Sequence, residues 1–216
     1  MMELLKAISL GFVLLLPMAN PMTAIAMFLG LSGGMSQAER DKTAVKSASY
    51  TFIILIVTWY VGNYVMDAFG ISVPGLRIAG GLIVAFIGFT MLFPSTSEED
   101  SAKPKKVATS SSISFVPLSM PGVAGPGTMA LIISAASTAK LEPGVTEFTL
   151  LVAPPIVFFL VSALLWFALR SSTGIMKVLG EKGLDAISRL MGFLLVCMGI
   201  QFVINGILEI IKHYPG

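Results

Sequence analysis

Six stretches of this chain, at about 7–31, 47–67, 76–93, 113–136, 147–169 and 190–211, are apolar and almost free of charge. Roughly 20 such residues in a row match the thickness of a bilayer's hydrocarbon core. No water is available there to satisfy backbone N–H and C=O groups, so a segment of this kind crosses as a helix. The composition agrees: 55% of residues are hydrophobic, 12% are charged and mean hydropathy is +0.88. An average soluble domain carries about 25% charged residues. The expected fold class is all-α, a polytopic membrane protein of six transmembrane helices. The spans use most of the 216 residues, which leaves no soluble catalytic domain. A net charge of +2, thinly spread, gives no footprint for nucleic acid.

The single cysteine, Cys197, lies in the sixth span and reads as a small packing residue, because one cysteine makes neither an intrachain disulfide nor a cysteine metal cluster. The single histidine, His213, follows the last span and with Lys212 reads as interfacial. After Lys6 the first apolar run lasts about 25 residues, longer than the roughly 7–15 of a secretory leader core. It is expected to be a retained first span.

Six spans place the loops on two sides. Four of the 14 Lys and Arg residues (Lys6, Arg77, Lys140 and Lys212) fall on the side of the termini, and the other ten fall on the opposite side. The excess of positive charge marks the cytoplasmic side, so both termini are expected in the periplasm. Trp59, Tyr60 and Tyr64 at one end of the second span, and Trp166 beside Arg170 at the other end of the fifth, are expected as headgroup-level anchors. Ser36 and Glu39 form a capping-box pair that should start a helix leading into the second span. The segment 94–112 is polar, charged and poor in apolar residues, and is expected to be a flexible cytoplasmic linker. The loop 171–188, with Gly174, Gly180 and Gly183, is expected to hold a short amphipathic helix on the inner surface.

Two spans are interrupted by a similar phrase. Ala19-Asn20-Pro21-Met22-Thr23 breaks the first, and Ala124-Gly125-Pro126-Gly127-Thr128, 105 positions later, breaks the fourth. Proline lacks the backbone donor that a helix interior needs. It is favourable at the first position of a new helix, where Asn before it is a good cap. Each break therefore reads as the start of a half-helix inside the membrane, with Pro17, Pro117 and Pro121 upstream favouring an unwound backbone. The third span, Arg77-Ile-Ala-Gly80-Gly81 through Gly88, and the sixth, Arg189-Leu-Met-Gly192 through Gly199, match in the same way. Three spans per half is an odd number, so the halves are oppositely oriented. The expected organisation is a 3+3 inverted repeat with broken helices 1 and 4: residues 1–93, the linker 94–112, and residues 113–216. Pro154-Pro155 in the fifth span has no counterpart in the second and reads as a further kink or hinge.

Paired broken helices are the sequence pointer to a carrier's binding site. Helix starts expose unpaired N–H groups with partial positive charge, and two of them facing one midplane would hold a carboxylate without a basic side chain. The substrate-binding candidates are Asn20, Pro21, Thr23, Gly125, Pro126, Gly127 and Thr128, with Ser119, Ser134 and Gln201 weaker. Gly81, Gly88, Gly192 and Gly199, spaced by seven, read as close helix packing that supports the site. No ionisable residue lies near the centre of a span, which argues against a carboxylate proton relay, a charged substrate and a carboxylate-bound metal. Coupling by Na+ through exposed carbonyls stays open. No zinc-protease, nucleophile-elbow, phosphate-loop or dinucleotide fingerprint occurs, so no catalytic residue, cofactor or metal is expected.

These segments together resemble one family. Leu16 to Thr23, Gly75 to Gly81 and Phe115 to Thr128 are similar to hallmarks of the MarC family, in the same order and on the same spans. The resemblance covers essentially the whole chain. It implies a six-span bacterial inner-membrane protein related to the LysE-type exporter superfamily, some of whose members look like transporters of small neutral amino acids such as glycine and alanine. It supplies no binding residues. The leading expectation is a secondary carrier of small neutral solutes, working by alternating access. The alternatives are a non-transporting membrane scaffold or regulatory protein, and a drug efflux protein linked to multiple antibiotic resistance. The expected partners are a small-molecule substrate and the lipid bilayer, and a homo-oligomer is compatible with this reading.

Overall fold

The computed structural model describes residues 2–32, 35–93, 124–139 and 146–213. The linker 94–112, the upstream part of the fourth span with Pro117, Ser119 and Pro121, and Lys140 lie outside the described residues. Among the described residues every regular element is a helix. In chain order these are α1 (Met2–Ala19), α2 (Pro21–Leu31), α3 (Gln37–Ala68), α4 (Val73–Leu92), α5 (Pro126–Ala139), α6 (Glu147–Arg170) and α7 (Ser172–His213).

Helices α1, α3, α4 and α6, and the Asp185–Lys212 part of α7, are each long and apolar enough to cross a membrane. Helix α5 is apolar but shorter. Its 14 residues reach about 21 Å at about 1.5 Å per residue.

Local chemistry explains where several helices begin. Ser36 Oγ accepts the Glu39 N–H, and Glu39 returns a bond to the Ser36 N–H at 2.8 Å, the reciprocal cap expected from the sequence. Ser72 caps α4 with Pro74 in its first turn, and Thr146 caps α6 by accepting the Thr149 N–H.

Lipid is as apolar as leucine, so close packing and hydroxyl bonds must hold such helices together. Helix α4 lies against α7 with backbone on backbone. A methyl built on Gly81 would lie 2.5 Å from Gly199 O, and one on Gly88 would lie 2.5 Å from Gly192 O. Helix α6 is the most enclosed span. It packs on α1 and α3 through Val157, Phe158, Val161 and Leu165. Helix α2 packs on α6 and α7, and α5 packs on α3 and α4.

The structure corrects several expectations. Pro154 and Pro155 do not break α6, which runs through them. Pro155 has no N–H for the carbonyl four residues earlier. That carbonyl, Leu151 O, instead accepts the Tyr60 hydroxyl from α3 at 3.0 Å. Tyr60 is thus tied to a neighbouring helix as well as lying near the surface. Trp59 is also more than an anchor, packing edge-on against Phe158 at 6.2 Å within the core. Trp166 does keep company with Arg170, whose guanidinium lies 5.5 Å from its ring centre. Within 171–188 the expected short helix is present, and helix extends over nearly the whole segment. Ser171 is a turn, Gly180 at φ 66° is a kink between two helices, and the helix after it continues into the last span. Only glycine takes that conformation without strain.

Candidate functional site

The first break is a single residue. Helix α1 passes through Pro17 and ends at Ala19; Asn20 adopts φ 35°, and α2 begins at Pro21. Asn20 is the one non-glycine with positive φ among the described residues, and Asn tolerates that region better than most residues. The hydrogen-bond ladder bridges the step: the Asn20 N–H donates to Leu16 O, and the Ala24 N–H to Asn20 O, both at 3.2 Å. The expected unwinding is therefore shallower than the prolines suggested. A proline removes one bond, and the turns on either side close over the gap. Asn20 is 4% exposed, and its Nδ2 donates to Met91 Sδ of α4 at 3.3 Å. Thr23 takes its place in the first turn of α2; its side chain lies outside the described set.

The second break is a clean helix start. Pro126 occupies the first position of α5, and the Met129 N–H closes the first turn on Gly125 O at 3.0 Å. Ala124 and Gly125 are buried, as is Thr128 at 5% exposure. A methyl on Gly127 would sit 2.6 Å from Val84 Cγ2 and 3.4 Å from Met18 Cε. Gly127 thus lets the start of α5 approach α4 and the end of α1 together.

Between these elements lies a cavity of about 40 Å³, lined by Met18, Val84, Ile87, Gly125, Gly127, Thr128 and Leu195. Met18 comes from the last turn before the first break, and Gly125, Gly127 and Thr128 form the second. The wall opposite is the α4–α7 rod set by the glycine contacts. A water needs roughly 10–15 Å³ of such space, so the cavity has room for water and is far below the roughly 300–1,000 Å³ of a drug-sized site.

The weaker candidates separate. Ser134 is buried, but it accepts a bond from Arg77 Nε at 2.6 Å and takes no part in the cavity. Gln201 is exposed and donates to Asn205 at 2.9 Å on its own helix.

Two arginine clusters were missed by the sequence reading. At one end of the bundle Arg77 binds Ser134 and Thr138 of α5 and forms an ion pair with Glu209 of α7 at 2.5 Å. At the other end Arg40 donates to Ser32 O, just past α2, at 3.0 Å and to Thr173 Oγ1 of α7 at 3.4 Å. Each arginine ties the far end of a half-helix to α7. The available signal was the spacing of Ser134 and Thr138, which puts both hydroxyls on one helix face. Arg189, which the sequence matches to Arg77, behaves differently: it is about half exposed, pairs with Asp185 at 2.9 Å and caps α4 through Leu92 O.

No solved structure matches the chain. Two curated relatives named inner membrane protein MarC do match it. One from Escherichia coli (strain UTI89) is 58% identical, and one from Shigella flexneri is 57% identical. In both, the match covers 99% of this chain and 100% of the relative. Those names and the apolar helices together make this a multi-pass inner-membrane protein. The family model described as MarC family integral membrane protein matches residues 5–211, and the chain accordingly belongs to the MarC family.

Proposed function

We propose that this protein is a secondary carrier of small neutral solutes, with neutral amino acids the favoured class, and that its two halves rock about the cavity between the helix breaks. The observation that carries the reading is the position of that cavity. Met18, just before the first break, and three residues of the second, Gly125, Gly127 and Thr128, line it together, on a wall of close-packed glycine helices. Thr128 is the polar side chain in the cavity lining, Asn20 is buried at the first break outside that lining, and neither bears a charge. A site of this composition suits a solute whose charges cancel.

The helix contacts support the inverted repeat on which alternating access depends. Exchanging the halves exchanges α2 with α5. Helix α2 packs on α6 and α7, the second and third spans of the other half. Helix α5 packs on α3 and α4, their counterparts. The pairs α3–α6 and α4–α7 map onto themselves. The two arginine clusters then serve as latches, with Arg77 closing the outer end and Arg40 the inner. The cavity is too small for an amino acid, so one latch must release before a solute enters.

The test is purified protein in liposomes with a panel of radiolabelled small metabolites. Saturable entry of glycine or alanine above empty vesicles is the expected result. If no member of a broad panel moves faster than in empty vesicles, the carrier reading fails and the scaffold reading takes its place.

A further inference from the structure

A second cavity lies away from the breaks. It has a volume of about 190 Å³ and opens at the Arg77 end of the bundle, between the end of α3, the start of α4 and the outer half of α5. Drug-sized ligands occupy roughly 300–1,000 Å³, so this space suits a smaller solute. Its walls differ in chemistry. Asn63 and Asp67, one turn apart on α3, and Ser137 of α5 supply the polar side, while Ile71, Leu76 and Ile133 supply the apolar side.

The polar wall is set by its own bonds. Ser137 Oγ lies 2.7 Å from Asn63 Oδ1, a contact that joins α5 to the end of α3. The turn after α3 passes through Gly70 at φ 64°. There the Gly70 N–H takes Asp67 O at 3.1 Å, and the Ile71 N–H takes Met66 O at 2.9 Å. This turn sets Ile71 against the α3 terminus and takes up the Asp67 main chain, leaving the carboxylate to the cavity mouth. Among the described residues no cation pairs with Asp67. Arg77, the cation nearest in sequence on α4, is committed to Ser134, Thr138 and Glu209. A carboxylate with no cation beside it among the described residues, set against an apolar wall, selects a positively charged group on a short apolar body. Asp67 is exposed, so its charge alone gives little affinity, and the apolar wall must contribute.

We propose that this vestibule binds small primary amines, the ammonium at Asp67 and the short side chain against Leu76 and Ile133, and so selects amino acids over uncharged or purely acidic solutes. Its service as a loading site rests on the carrier reading; the binding itself does not.

The experiment is calorimetric titration of the intact protein in lipid nanodiscs with L-alanine, propylamine and propionate. Alanine and propylamine should bind saturably and propionate should not. Asp67→Asn should weaken both amines tenfold or more. Ile71→Trp, which fills the mouth from an exposed turn, should remove binding. Thr128→Val, at the central cavity, should leave propylamine binding within twofold of wild type. Absence of saturable amine binding, equal binding of propionate, or an unchanged affinity in both Asp67→Asn and Ile71→Trp would overturn the proposal. Amine binding lost in Asp67→Asn but accompanied by no wild-type flux in liposomes would keep the vestibule and remove the carrier. Flux with an unchanged KM for alanine in Asp67→Asn would do the reverse.

Discussion

The two helix breaks are built by opposite means. At the first, a side chain is the device. Asn20 holds a left-handed step, buries its amide and bonds Met91 of α4. At the second, the absence of side chains is the device. Gly125 and Gly127 bracket Pro126, and the start of α5 comes so close to Val84 that a methyl would collide with it. The first break therefore supplies a polar group, and the second supplies closeness of backbone. A site built from the two has one specific contact and one snug wall. The cost of substitution should differ accordingly: strain and polarity at Asn20, volume at Gly127.

Substitutions that separate these costs test the contrast. The largest loss is expected for Asn20→Val. A β-branched residue is an outlier at positive φ, and such strain costs about 1–3 kcal/mol before the lost amide is counted. Thermal unfolding in detergent should show the steepest fall in Tm for this variant. Gly127→Ala comes next, at about 1–3 kcal/mol for overpacking. Adding Val84→Ala should recover part of that loss, because the methyl meets Val84 first. No recovery in the double variant would mean that the closeness at the second break is not what constrains it. Thr128→Val keeps the shape and removes one buried hydroxyl, and should cost about 1 kcal/mol while lowering flux. Asn20→Gly should cost least. Glycine accepts the left-handed step freely, so the loss is the amide bond, at about 0.5–1.5 kcal/mol, lessened by relief of strain. Equal Tm losses for Asn20→Val and Asn20→Gly would show that backbone strain plays no part at the first break.

Much of this architecture was legible from the chain. Apolar runs marked the spans because hydrocarbon leaves the backbone no alternative to a helix. Asn20-Pro21 and Pro126 marked half-helix starts because proline is acceptable at a first turn and costly later. The glycine spacing on α4 and α7 marked a close contact because two backbones meet only where Cβ is absent. The reading failed where one helix answers another. Pro154 and Pro155 carried the local signs of a break, but α6 runs on through them, and Tyr60 on a different helix takes the freed Leu151 carbonyl. Arg77 and Arg189 looked equivalent by spacing. What distinguishes them is Glu209, far along the chain, and the hydroxyls of α5. Gly180 looked like part of a loop, and it is the kink at which one helix ends and the helix of the last span begins.

The central claim is that the polar group at the first break, which does not line the cavity in this structure, reaches the solute as the halves rock. Alanine flux should be compared between wild type and Asn20→Gly in liposomes, with both proteins shown to unfold at similar temperatures. The account predicts saturable flux in wild type and a loss of about tenfold or more in the variant, the factor equivalent to one buried hydrogen bond of about 1.4 kcal/mol. Equal flux from the two proteins would contradict it.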